Sequence, residues 1–412
     1  MRGLTICMFI FFGNWFSSEL CAQSLDDYLA IAAENNPQLT SKYALFEASL
    51  QRVTQAHSLP NPSLSFGYFI RPVETRVGPQ LAKLGLAQMF PWFGTLKVQG
   101  EMQAYLAEAN YQRFLDARNE LFHQVRSAWY PIYELNQKLA IQQQYLDVLL
   151  QYKELATSRY KNDKADMVDV LRVDVQLIQA KSDLANLRDQ KRPLIIQFNS
   201  ILNRDGQEEV MVPDSLEPES FYLDQLKEDS LFTSHPTLAA YEMELKSAQR
   251  LEEIAHKRNL PGFGVGVDYV MVGDNASGTP NNGKDAIMPM VSMSLPIFRS
   301  ANQARVKEAQ FKQEGIAASR DAFANNLRSS YAQTIYSIVK QRREMTTISE
   351  QIEVINRSLS LLTKSYVNAE VNMDDLLVMQ QQRLFFQMKE AVAFTNYHLA
   401  LSKFEYLTAK TE

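Results

Sequence analysis

Chemistry needs particular side chains at particular spacings, and this chain offers few such sets. Its five histidines, His57, His123, His235, His256 and His398, include no i,i+4 pair able to hold a metal from one helix face. Its 2 cysteines, Cys7 and Cys21, both fall at the extreme N-terminus. Gly262-Phe263-Gly264-Val265-Gly266 places glycine at every second position. That is the period of a strand, and not the spacing of a phosphate loop. The acidic pattern that stands out occurs twice. Asp169 lies nine residues after Tyr160, and Asp375 lies nine residues after Tyr366. Asp163 and Asp166 accompany the first, Glu370 and Asp374 the second. An Asp at a helix start caps the helix and complements its dipole. Repeated around a symmetric oligomer, such acids also form a ring that favours cations. These residues predict no enzyme, no cofactor and no resident metal.

The elements that must carry this pattern are read from the rest of the chain. With 412 residues, 46% hydrophobic and 22% charged, the composition excludes a disordered chain and a disulfide-dense scaffold. A net charge of -5 argues against a nucleic-acid partner. Mean hydropathy of -0.27 argues against a bundle of membrane helices. Residues 1–22 read as a secretory signal peptide, with Arg2 ahead of a short apolar run and Ala22 before the cut. Lipid attachment at Cys21 is the alternative. Removal of this segment predicts a mature chain without cysteine, hence without disulfide or thiolate chemistry.

The chain is written twice. Asn36-Pro37-Gln38-Leu39 recurs as His235-Pro236-Thr237-Leu238, and Met89-Phe90-Pro91-Trp92-Phe93 as Ser294-Leu295-Pro296-Ile297-Phe298. The tip pattern from Tyr160 to Leu171 recurs from Tyr366 to Leu377. Each copy predicts a helix, two strands, a very long helix, a break and a second long helix. The predicted repeats cover 23–202 and 234–412, joined by an acidic, proline-interrupted segment at 203–233. Strands are expected near 62–70, 81–90, 262–271 and 287–297. Helical hairpins are expected over 95–202, with a tip near 160–169, and over 300–408, with a tip near 366–375. Narrow apolar stripes on these helices, such as Leu121, Val125, Ala128, Trp129 and Ile132, predict coiled-coil packing.

Along the first predicted strand Leu64, Phe66, Tyr68 and Ile70 share one face, with Ser63, Ser65 and Gly67 on the other. This suits a membrane barrel strand or a half-buried soluble strand. Four strands are too few to close a barrel of about eight or more, so a membrane reading requires several chains to share one. Pro91, Trp92 and Phe93, and Pro296 and Phe298, end strands and open helices. They are expected at a strand-to-helix turn, where aromatic rings suit a membrane interface.

The duplicated plan, the turns MFPWFGT and SLPIFRS, and the tips YKNDKADMVDVL and YVNAEVNMDDLL resemble the TolC family of outer-membrane efflux proteins, the outer membrane factors of tripartite efflux pumps. The resemblance covers nearly all of residues 24–408. It implies a mainly α fold with a small β part: a long coiled-coil α-barrel in the periplasm, plus four strands given by each subunit of a homotrimer to a 12-stranded outer-membrane barrel. It implies a passive exit duct for small molecules or metal cations, served by a periplasmic adaptor (membrane fusion) protein and an inner-membrane pump of RND or ABC type, and set in outer-membrane lipid. It places Tyr160, Asp166, Asp169, Tyr366, Asp374 and Asp375 at the periplasmic entrance. Where the family tip carries glycine, this chain has Asp163 and Ala369. Where some members add a second acid, it has Arg172 and Val378. The alternatives are the exit duct of a type I protein-secretion system and a soluble periplasmic coiled-coil scaffold.

Overall fold

The structure is a computed structural model that describes residues 24–218, 221, 235–275, 280–368 and 371–409. The expected signal peptide with Cys7 and Cys21 lies outside the described residues, as do 219–220 and 222–233 of the acidic connection and Ala369 and Glu370 of the second tip. The first half holds α1 (Leu25–Asn35), α2 (Pro37–His57), β1 (Ser63–Val73), β2 (Gln80–Phe90), α3 (Thr95–Lys161) and α4 (Met167–Ile201). The second holds α5 (Pro236–Lys257), β3 (Gly262–Val272), β4 (Ala286–Ser294), α6 (Arg299–Val367) and α7 (Met373–Thr408).

Helix entry is set by local chemistry at the repeated motif. Asn36 caps α2, its side-chain oxygen accepting from Gln38 N at 2.9 Å and Leu39 N at 3.1 Å, with Pro37 at the first helical position. Its amide also donates to Ile201 O at 2.8 Å, tying the start of α2 to the end of α4. In the second copy His235 does the capping, its Nδ1 accepting from Thr237 N at 3.2 Å. Burial pushes the His235 pKa down to about 4, so the ring stays neutral and able to accept.

The two longest helices have 67 and 69 residues, so each runs for about 100 Å. α3 continues through Pro131 and α4 through Pro193, each at the loss of one helical hydrogen bond. The seam predicted on α3 is buried: Leu121, Val125, Ala128, Trp129 and Ile132 all enter one core with α1 and the end of α4. A second core joins the two hairpin tips, and a third packs α6 against α7.

The strands form one antiparallel sheet in the order β1-β2-β3-β4, with the two halves meeting at the β2–β3 pair. Registers such as Phe66↔Leu84, Leu84↔Tyr269 and Tyr269↔Ile287 stack the apolar positions of all four strands in rows. Two predicted strand ends are corrected, that of β4 and that of β1, which ends at Val73 instead of near 70. β4 ends at Ser294 instead of near 297, because Pro296 has no N–H to continue the ladder and Ile297 N donates back to Leu295 O at 3.0 Å. β1 runs on through Pro72, which an edge strand tolerates.

Candidate functional site

The tips are built from two helix ends and two helix starts. α3 stops in a Schellman motif: Asp163 takes φ 54, its N–H donates to Tyr160 O at 3.1 Å, and Lys164 N donates to Arg159 O at 2.9 Å. Asp163 thus fills a left-handed position that glycine fills most easily. Asp166 follows as the N-cap of α4. Three residues on, Asp169 faces Arg172 at 3.8 Å. In the second tip Asn372 is the N-cap of α7, and its N–H donates to Asp375 Oδ2 at 3.2 Å. Asp375 is therefore held as the N3 member of a capping box. Asp169 is not, so two acids equivalent in sequence have different partners.

The two tyrosines differ more. Tyr366 is 1% exposed, inside a core with Tyr145, Leu149, Val173, Met373 and Leu376, whereas Tyr160 is 45% exposed. Tyr366 is covered by a residue that the repeat pattern does not mark. The Arg159 guanidinium lies 4.2 Å from the centroid of its ring, Nη1 donates to the Tyr366 carbonyl, and Nη2 donates to Lys164 O at 2.8 Å. Arg159 thereby closes the first tip on itself and fastens it to the second. The equivalent residue in the other copy is Ser365, so no repeated spacing points to Arg159.

Asp169 lies within electrostatic reach of two arginines and of two further acids. Burial raises the Asp169 pKa above the usual carboxylate value. Arg172 and Arg159 pull it down; Asp166 and Asp374 push it further up. Burial also raises the Tyr366 phenol, helped by Asp169. Of the residues singled out at the tips, Asp166 and Asp374 thus act on Asp169, and Asp169 acts on Tyr366, with Arg159 acting on both. Asp375 serves its own helix, and Tyr160 faces outward.

The sheet presents a second feature. Its apolar rows are open, with Ile70 91% and Val291 83% exposed, alongside Leu64, Phe66, Tyr68 and Ile287. The opposite face carries Lys83 ion-paired to a buried Asp268. At Gly85 a Cβ would sit 2.4 Å from Asp268 Oδ1 and 2.7 Å from Ser65 Oγ, so glycine is needed for this approach. Beyond β2, Trp92 stacks on Phe263 at 5.7 Å, and Gly94 at φ 77 turns the chain into α3. In the second copy Arg299 stands in place of Gly94, and Phe298 at φ -86 is the N-cap. Phe93 and Phe298 are both largely exposed, and Pro91, Trp92 and Pro296 are half-buried. Among the described residues no helix is long and apolar enough to cross a membrane. No group of His, Cys, Asp and Glu among them is arranged to hold a metal ion.

The outer membrane efflux protein family model matches residues 29–202 and 229–397. The chain belongs to this family. As an outer membrane efflux protein it is an outer-membrane channel with a helical periplasmic part. The outer-membrane channel OprN shares 16% identity and a TM-score of 0.78, over 94% of this chain and 90% of that one. VceC of Vibrio cholerae shares 13% identity and a TM-score of 0.75, over 93% and 95%. The open state of the Neisseria gonorrhoeae MtrE channel shares 16% identity and a TM-score of 0.77, over 94% and 89%. At such identities the likeness is one of fold. No curated protein matches the sequence. The family is one of channels and not of enzymes.

Proposed function

We propose that this channel is the passive exit duct of a tripartite efflux system. It works as a homotrimer, receives small molecules or metal cations from an RND-type or ABC-type inner-membrane pump, and docks to it through a periplasmic adaptor. The observation that carries this reading is the four-stranded sheet. β1 and β4 are its edges, and its apolar rows face outward. An open edge beside an exposed apolar face is a liability unless another chain pairs with the edge and lipid covers the face. Three such sheets joined edge to edge make a barrel with no edge and a lipid-facing apolar band. Trp92, Phe93 and Phe298 then lie where aromatic rings favour the interface.

In this reading the tips form the periplasmic entrance. The Arg159–Tyr366 contact holds the two hairpins of a subunit together, and Asp166, Asp169 and Asp374 give the entrance its negative charge. The test is reconstitution of the purified chain in planar bilayers. The reading predicts cation-preferring channels of small conductance that widen when Arg159 is replaced. A chain that forms no channel and stays in the soluble periplasmic fraction contradicts it.

A further inference from the structure

The four segments that join strands to helices share one chemistry. Taken with one helical turn each, they are 54–62, 91–98, 254–261 and 295–302. They hold Lys97, Lys257, Arg258 and Arg299 and no Asp or Glu, in a chain with 47 acids against 42 bases. The far end of the sheet is mixed, with Glu74, Arg76, Asp274, Lys284 and Asp285. Of the two ends of the sheet, the helical one alone carries cations without acids.

At that end lies an apolar cavity of about 530 Å³, walled by Leu59, Phe90, Trp92, Phe93 and Phe263. Phe90 and Phe263 are register partners on the two central strands, away from the β1 and β4 edges that a neighbouring copy would pair. Alternation along the register puts them on the face of Leu84, Leu86, Val267 and Tyr269, which is the exposed apolar face. The mouth of the cavity is cationic. Lys97 lines it beside Gly94, and a Cβ at Gly94 would lie 3.5 Å from Lys257 Nζ. Glu101 and Glu253 lie 4.0 and 3.7 Å from these two lysines, too far for a hydrogen bond. Arg250 takes both carboxylates, at 3.3 and 2.8 Å. Three cations against two acids leave positive charge at the mouth. α3 also begins at Gly94 with no side-chain cap, so the positive end of its dipole adds to that charge.

We propose that this cavity binds an anionic phospholipid of the periplasmic leaflet, with one acyl chain against Trp92, Phe93 and Phe263 and the phosphate held by Lys97 and Lys257. The apolar walls continue the face assigned to lipid, and the two lysines favour a headgroup with net negative charge over a zwitterionic one. The proposal rests on the reading in which the apolar face of the sheet meets lipid.

The test reconstitutes the full chain in phosphatidylcholine vesicles and reads tryptophan quenching by brominated phosphatidylglycerol or brominated phosphatidylcholine. Trp92 is the reporter. Trp129 is 2% exposed in a core about 50 Å further along α3, and Trp15 falls in the expected signal peptide. Brominated phosphatidylglycerol is expected to reach half-maximal quenching at a mole fraction about fivefold lower than brominated phosphatidylcholine. Lys97→Gln, at a side chain 78% exposed, is expected to cut this preference to about twofold, and Lys97→Gln with Lys257→Gln to abolish it. Trp92→Phe is expected to remove the quenching; quenching that persists comes from elsewhere and overturns the site. Equal quenching by both lipids in the parent overturns the site and leaves the membrane reading standing. No quenching by either lipid contradicts both. A preference that survives in both lysine variants is a diffuse attraction to the surface and also overturns the site.

Discussion

Arg159 ties the first tip to the second through one side chain. Its planar fork serves two carbonyls while its face covers the Tyr366 ring, a combination lysine does not reproduce. Replacing it with Ala or Lys is expected to raise single-channel conductance, with Ala the larger effect. Equal conductance in all three proteins would show that the contact does not restrain the entrance. Asp375→Ala is expected to act differently: loss of its capping bond costs about 1 kcal/mol, read as a lower melting temperature with conductance unchanged. The acids also predict a pH effect. Burial raises the folded pKa of Asp169, so the packed tip is favoured when Asp169 is protonated. That stabilisation is fully present below the unfolded value of about 3.9 and is lost as pH rises through the higher folded value. Conductance is therefore expected to fall as pH drops into and below the carboxylate range. Asp169→Asn is expected to be low-conducting and to lose this dependence, measured in bilayers across the same pH series. The acids and tyrosines were legible because duplication repeats them at one spacing. Arg159 was not, because Ser365 holds its place in the other copy, and sequence spacing alone cannot tell that Tyr366 is buried while Tyr160 is not.

At the scale of elements, the long helices and the strand faces were readable directly. Few glycines and prolines interrupt 95–161, and a period of two in Leu64, Phe66, Tyr68 and Ile70 marks one face of β1. The end of β4 was less readable, because Leu295 and Ile297 continue the alternation that Pro296 stops. The ion pair on the polar face of the sheet was hidden in the sequence. Lys83 and Asp268 lie in different halves of the chain, and only the β2–β3 register, with Gly85 opposite Asp268, brings them together. Gly85 leaves the space that Asp268 needs. Gly85→Val is expected to drive Asp268 from Lys83 and to lower the heat resistance of the assembled protein on unheated gels. Gly85→Val with heat resistance equal to the parent would show that the sheet accommodates the side chain, and that this ion pair does not govern assembly.

For the whole molecule, the sheet and the helices impose different solvents on one chain. The helices are amphipathic and polar outside, which keeps the mean hydropathy at -0.27. The sheet turns Ile70, Val291 and their neighbours outward, where water is a poor environment. A single chain cannot satisfy both the open edges and the apolar face, and an assembly that pairs β1 of one copy with β4 of the next can. The most direct test is the mass of the unheated particle extracted from the outer membrane, measured by analytical ultracentrifugation with detergent contributions matched out. The account predicts three copies of the processed form of the 47.1 kDa chain in one particle that heat converts to single chains. A particle containing one copy, with the sheet still formed, would contradict it.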